Sequence, residues 1–163
     1  MVKVKQIQKD AKGKIISEAI INSENNELLS YNNFVTGELC EFNDKGDIIH
    51  ERTADFEIWN KYAEDGRLLH SKTIDNKKVK EVDCEYNEKG LLIRVTNSDG
   101  LIETRKYDEL NRIIRIENNK SENGLYEYGY ENNRMTYNKI GSQEHWRTYD
   151  DKGNMIFYKD SSG

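Results

Sequence analysis

Cys40, Cys84, His50 and His70 are the side chains best suited to chemistry in this sequence, and their spacing decides which of them could meet. Each cysteine lies six residues before a turn-forming glycine, Gly46 or Gly90, and each of these histidines lies four after one, Gly46 or Gly66. Simple hairpin pairing about Gly46 would set His50 directly across from Cys40. A thiol beside an imidazole can serve as nucleophile and base, and with His70 added the group has the makings of a metal site. Against both readings, a regular repeat generates such coincidences of phase, no third group is placed to orient the imidazole, and strands two apart lie about 10 Å from each other. The sequence therefore predicts no catalytic residues, no metal ligands and no cofactor. The cysteines fall two repeats apart, roughly 19 Å if each repeat adds two strands, beyond the span of about 7 Å that a disulfide tolerates. They read as small apolar fillers of a reduced protein.

The remaining chemistry-bearing residues point to binding. Glu122, Glu127 and Glu131 alternate with tyrosines and read as a wet strand face, since paired carboxylates for glycoside cleavage need a cleft between them. Residues 43–46, Asn-Asp-Lys-Gly, lack the spacing and terminal glutamate of a calcium loop. No phosphate-cradling glycine loop or serine elbow is present. Aromatic residues, in contrast, crowd the C-terminal quarter. Tyr126, Tyr128, Tyr130, Tyr137, Trp146, Tyr149 and Tyr158, with Phe157 among them, form a candidate partner-binding set. Tyr and Trp on rigid strands anchor protein partners or offer platforms to sugar rings; the same residues would also staple the last hairpins together.

Short strands must position these side chains. Five segments share one form, FNDKGDII (Phe42–Ile49), YAEDGRLL (Tyr62–Leu69), YNEKGLLI (Tyr86–Ile93), YDELNRII (Tyr107–Ile114) and YDDKGNMI (Tyr149–Ile156), and looser copies lie at Asp10–Ile16, around Asn26 and at Tyr130–Met135. The phase is marked by Gly13, Asn26, Gly46, Gly66, Gly90, Asn111, Asn133 and Gly153, spaced by about twenty residues except for the first interval of 13. Only Gly or Asn fills that slot, as a left-handed backbone requires. A preceding Asp or Asn can accept bonds from the turn backbone, so each marker reads as the tip of a three-residue hairpin loop. A second set of turn signals, at Gly37, Asp75-Asn76, Asp99-Gly100, Asn123-Gly124 and Ile140-Gly141, divides each repeat into two strands of ordinary length.

The fold class is thus all-β: an antiparallel meander of about eight hairpin repeats over residues 1–163, one domain, forming an elongated curved sheet. A four-bladed propeller with two hairpins per blade is the alternative. The aromatic four before each marker should face the apolar residue two after it, pairing Phe42 with Ile48, Tyr62 with Leu68, Tyr86 with Leu92, Tyr107 with Ile113 and Tyr149 with Met155. The opposite face, with Glu41, Lys61, Glu85 and Lys106, should be half-wet.

From about Phe42 onward, and most closely in KYDELNRIIRIENNKSENGLYEYGYENNRM followed by TYDDKGNM, the sequence resembles the tyrosine-aspartate (YD) repeats of the RHS family. It also looks similar to the MORN-like repeats of small bacterial antitoxin-type proteins. Choline-binding repeats share the period but need paired tryptophans, and only Trp59 and Trp146 occur. The resemblance implies a strand pattern. It does not imply the hollow toxin-enclosing shell of large RHS proteins, which needs many times more hairpins.

Composition narrows the partners. A net charge of -5 and no basic run longer than Lys77-Lys78 argue against general nucleic-acid binding. No apolar run approaches a bilayer span, and the N-terminal residues carry charge without an apolar stretch, so membrane association and secretion are not expected and a cytoplasmic location is. The 35% hydrophobic and 34% charged residues would suit a disordered chain if scattered, but they recur in register. The expected function is a non-enzymatic protein-binding module, a small inhibitor of the immunity or anti-defence type from a low-GC bacterium or its phage. Carbohydrate or cell-surface binding through the aromatic stripe is the alternative, and open sheet edges offer a route to a homodimer.

Overall fold

The computed structural model describes residues 2–162, which form strands and turns without a helix. The chain divides into two compact units, Met1–Asp83 and Cys84–Gly163. Unit 1 contains β1 (Lys3–Lys9), β2 (Ile15–Asn22), β3 (Leu28–Asn33), β4 (Leu39–Phe42), β5 (Ile48–Arg52), β6 (Phe56–Tyr62), β7 (Leu68–Asp75) and most of β8 (Lys78–Tyr86). Unit 2 continues with β9 (Leu92–Asn97), β10 (Ile102–Tyr107), β11 (Ile113–Asn118), β12 (Leu125–Glu131), β13 (Arg134–Ile140), β14 (Gln143–Tyr149) and β15 (Met155–Asp160).

Within each unit every strand pairs antiparallel with the next, in chain order. This is an open meander and not a propeller. Blades of four strands would interrupt the ladder after β4, yet β4 pairs β5 over four residues from Leu39↔Arg52 to Phe42↔Ile48. No hydrophobic side chain among the described residues is fully buried; the buried polar residues are Ser17, Asn22 and Asn138, and the backbone of Gly124 is buried as well. Stability therefore comes from ladder hydrogen bonds and half-buried cross-strand pairs, each worth about 0.2–1 kcal/mol.

All eight marker residues have a positive φ, from 59° at Asn26 to 92° at Gly153. At Gly13, Gly46, Gly66, Gly90, Asn111 and Gly153 the marker N–H donates to the carbonyl three residues earlier, at 2.9–3.1 Å. That bond closes the expected loop. Asn43 shows why the Asn/Asp slot matters: its Oδ1 accepts from the Lys45 and Asp47 N–H groups at 2.9 and 3.0 Å. Asp10 and Asp108 do the same in their own turns. Ala63 cannot, and there Asp65 takes the Arg67 N–H and guanidinium instead.

Two tips depart from the expectation, those at Asn26 and Asn133. Gly13 joins β1 to β2 whereas Asn26 joins β2 to β3, so these two markers lie at opposite ends of the strands. The interval of 13 residues holds one strand, not two. Asn26 closes a wider turn by donating its N–H to the Asn22 carbonyl four residues back. Asn133 sits in a two-residue loop with Asn132, both at positive φ between the paired Glu131 and Arg134, the primed turn that suits strand twist.

The expected aromatic-aliphatic pairs Phe42↔Ile48, Tyr62↔Leu68, Tyr107↔Ile113 and Tyr149↔Met155 are present. One residue beyond each pair the register slips: Glu41 pairs with His50, Lys61 with His70, Lys106 with Arg115 and Thr148 with Phe157. The extra residue is Ile49, Leu69, Ile114 or Ile156, the second aliphatic of each motif. A bulge in this position repeats through both units, at Ile16 and Leu29 as well, and bends and twists the strand that carries it.

Candidate functional site

The bulge rewrites the candidate chemistry of unit 1. His50 pairs with Glu41, and Cys40 pairs with Glu51. Alternation along the strand then puts Cys40 on the face of Phe42 and His50 on the other face. The expected thiol-imidazole opposition is therefore incorrect, because it counted no extra residue at Ile49. Burial, with the Glu51 and Glu41 carboxylates adding to it, pushes the Cys40 thiol up, the reverse of what activates a nucleophile. Cys84 is likewise half-buried.

His50 has partners of its own. Its ring stacks on Trp59, directly across on β6, with centroids 5.0 Å apart and planes 13° from parallel. Nε2 lies 2.9 Å from Glu57 and Nδ1 3.4 Å from Glu41. His70 meets Asp83 at 2.8 Å. Both sets belong to charged rows that cross the strands: Glu41, His50, Trp59, Lys72 and Glu81 in one, Lys61, His70 and Asp83 in the other. This is the half-wet face. No group of three or more His, Cys, Asp or Glu among the described residues is arranged to hold a metal ion.

In unit 2 the pairings divide the aromatic set between two faces. Tyr126, Tyr128 and Tyr130 alternate along β12 and share one face. Tyr128 pairs with Asn138, Asn138 with His145 and His145 with Asp160, so Asn138 and His145 are on that face too. Arg147 and Tyr149, two and four residues after His145, follow, as does Tyr158 opposite Arg147. Tyr137 and Trp146 pair with each other, rings 5.8 Å apart, on the reverse face. They stand beside an ionic row of Arg115, Glu127, Lys139 and Glu144, in which Arg115 reaches Glu127 at 3.0 Å and Lys139 reaches Glu144 at 3.3 Å.

Two of the tyrosines are committed to the fold. The Tyr130 hydroxyl donates to the Ile113 carbonyl at 2.9 Å and the Tyr149 hydroxyl to the Met135 carbonyl at 3.2 Å. Tyr62 and Tyr107 do the same with Ile48 at 3.2 Å and Leu92 at 2.8 Å. In each case the tyrosine of one motif tethers itself to the carbonyl two residues after the marker of the preceding motif. Arg112 and Arg134 add guanidinium-over-ring contacts to Tyr130 and Tyr149, at 4.5 and 5.8 Å.

Tyr158 is arranged differently. It is 46% exposed, its hydroxyl lies 2.7 Å from His145 Nδ1, and its ring stacks on that imidazole at 6.0 Å. The Arg147 guanidinium sits 5.7 Å over the Tyr158 ring while Nη1 donates to Asn138 Oδ1 at 2.6 Å. Asn138, buried to 7% exposure, fixes the arginine from below. The result is a rigid Tyr-Arg-His surface cluster, made of residue types that carry binding energy at protein interfaces. Arg147, Asn138 and His145 were not singled out from the sequence. Counting the β14–β15 register with its bulge would have set Arg147 across from Tyr158; Asn138, on β13, lies outside that count.

Comparison with known proteins gives the fold a setting. No protein-family model and no curated protein matches this chain. Solved structures do: a chain of the TcdB2-TccC3-Cdc42 complex is similar over 94% of this chain, with a TM-score of 0.61 and 13% identity. A chain of the Photorhabdus luminescens Tc holotoxin pore, in a TccC3-D651A variant, is similar over 96%, with a TM-score of 0.63 and 15% identity. The similar region takes up 9% of each of those chains. At such identities the likeness is one of fold, and that fold, a meander of YD-like hairpins in each unit, also occurs in chains of toxin complexes.

Proposed function

We propose that this chain is a non-enzymatic protein-binding module, a small cytoplasmic inhibitor of the immunity or anti-defence type that acts by covering its partner. The observation that carries the reading is the Tyr158-Arg147-His145 cluster, held from below by Asn138 on a rigid strand pair. A preorganised Tyr and Arg lose little freedom on binding, which is why such pairs become hot spots. The similar solved structures are multi-protein toxin assemblies, and this supports a protein as the partner. The RHS-like repeat pattern of the sequence fits the same setting.

The test is co-purification from a bacterial lysate, identification of the retained protein, and binding isotherms with variants. Tyr158→Ala and Tyr128→Ala should weaken binding by about 1–2 kcal/mol each at an unchanged melting temperature. Trp146→Ala, on the reverse face, should leave affinity in place. Lost affinity in Trp146→Ala with full affinity in Tyr158→Ala would assign binding to the ionic face and overturn the proposal.

A further inference from the structure

The other arginines of unit 2 show what is unusual about Arg147. Arg105 turns Nε and Nη2 to the Glu103 carboxylate at 2.8 and 2.7 Å, and Arg112 turns the same two nitrogens to Asp108, both at 2.7 Å. Arg94 pairs with Glu85, and Arg115 with Glu117 and Glu127. Arg134 donates to the Asp150 carbonyl and lies over the Tyr149 ring. Arg147 is oriented as firmly as any of these: Nη1 donates to Asn138 Oδ1 at 2.6 Å, Asn138 is buried, and the guanidinium stands over the Tyr158 ring. Yet among the described residues its Nε and Nη2 meet no acceptor, and no carboxylate pairs with it. On the same face Asp160, across from His145, accepts instead from the Ser162 N–H and hydroxyl. β14, which carries Arg147, is flanked by β13 and β15, so this arrangement does not depend on a sheet edge.

We infer that the Nε–Nη2 edge of Arg147 is the receptor for one carboxylate side chain, aspartate or glutamate, of the partner protein. The inference rests on the function proposed above and names the chemistry of the partner. Two N–H donors side by side suit a carboxylate, and this chain already gives that edge to carboxylates at Arg105 and Arg112. With Nη1 held by Asn138, the fork loses little freedom when it binds. Arg147 is also half-buried. A charge partly withdrawn from water and without a counter-ion attracts an anion more strongly than one in open solvent.

Titration of the intact protein with sodium acetate tests the edge without the partner. Against sodium chloride at equal ionic strength, the Nε–H proton resonance of Arg147 should move saturably, while those of Arg105 and Arg112 should stay, their edges being taken. No movement at Arg147, equal movement at all three, or a stronger response to phosphate than to acetate would overturn the inference. With the partner retained from the lysate, Arg147→Lys, which keeps the charge and loses the fork, should weaken binding about tenfold or more, and Arg147→Gln at least as much. Full affinity in both, beside weakened binding in Tyr158→Ala, would sink the carboxylate receptor and leave the partner face standing. Full affinity in Tyr158→Ala would remove the partner face and the inference with it.

Discussion

Removing one hydroxyl, in Tyr107→Phe, tests the contact that joins one hairpin to the next. The change keeps the ring against Ile113 and deletes the 2.8 Å bond to the Leu92 carbonyl together with the hydroxyl's contact with the Arg105 side chain. A neutral hydrogen bond of this kind contributes about 0.5–1.5 kcal/mol net, and Leu92 is half-buried, so water restores only part of what its carbonyl loses. About 1 kcal/mol is expected at Tyr107 and, at 2.9 Å, at Tyr130; Tyr149, at 3.2 Å, belongs at the lower end. The three tethers of unit 2 join different strand pairs, so their costs should nearly add, to about 2–4 kcal/mol in the triple variant. That is a large part of the roughly 5–15 kcal/mol by which a domain is stable. Urea unfolding reads it: with a slope of about 1–3 kcal/mol/M, each single change should lower the midpoint by about 0.3–1 M. Tyr126→Phe is the control, since the Tyr126 hydroxyl makes no hydrogen bond among the described residues. Parent-like midpoints for Tyr107→Phe and Tyr130→Phe, or an equal loss in Tyr126→Phe, would refute the tether as a stabilising contact.

Two further predictions concern the turns. Gly66 has φ 89° with open space where a Cβ would stand, so Gly66→Val should cost about 1–2 kcal/mol or more from backbone strain alone, whereas Asn111→Gly should be neutral or stabilising; equal midpoints for Gly66→Val and its parent would contradict this. The turn aspartates predict acid sensitivity. The Arg67 side chain holds the Asp65 carboxyl at about 2, and the Leu101 N–H lowers Asp99. Asn154 lowers Asp150, and at Asp108 burial is outweighed by bonds from Arg112. A depressed folded value means stability that is present above the unfolded value of about 3.9 and lost as pH falls through the folded one, so urea midpoints should hold down to about pH 4 and drop toward pH 2, less steeply in Asp65→Asn. A midpoint that stays flat over that range would show that these carboxyls titrate alike in the folded and unfolded chain and would overturn the prediction.

The left-handed slots were legible because only Gly and Asn tolerate that backbone, and the aromatic-aliphatic pairs followed from loop length alone. The bulge was not legible. Ile48-Ile49 and Ile113-Ile114 read as two strand residues on opposite faces, and only the ladder shows the second of each to be extra, which moves His50 away from Cys40. The tyrosine tethers were hidden for a related reason: they cross from one motif to the preceding one, a distance that repeat spacing does not supply. The division of the aromatic set was within reach, since Tyr126, Tyr128 and Tyr130 share a parity that Tyr137 and Trp146, across the β12–β13 and β13–β14 ladders, do not. Asn138 carried no signal, because its importance lies in being buried beneath Arg147.

The polar character of the buried side chains, those of Ser17, Asn22 and Asn138, also governs how the fold responds to heat. The heat-capacity increment of unfolding grows with newly exposed apolar area and shrinks with newly exposed polar area. Sheets that leave their Ile, Leu and Tyr side chains half in water gain little further apolar hydration when they open. The increment per residue should then fall below the usual 12–15 cal/mol/K or so, and the stability curve should be shallow and broad. Such a chain owes its tolerance of temperature change to a flat curve and not to a high summit, with cold unfolding displaced far below the working range.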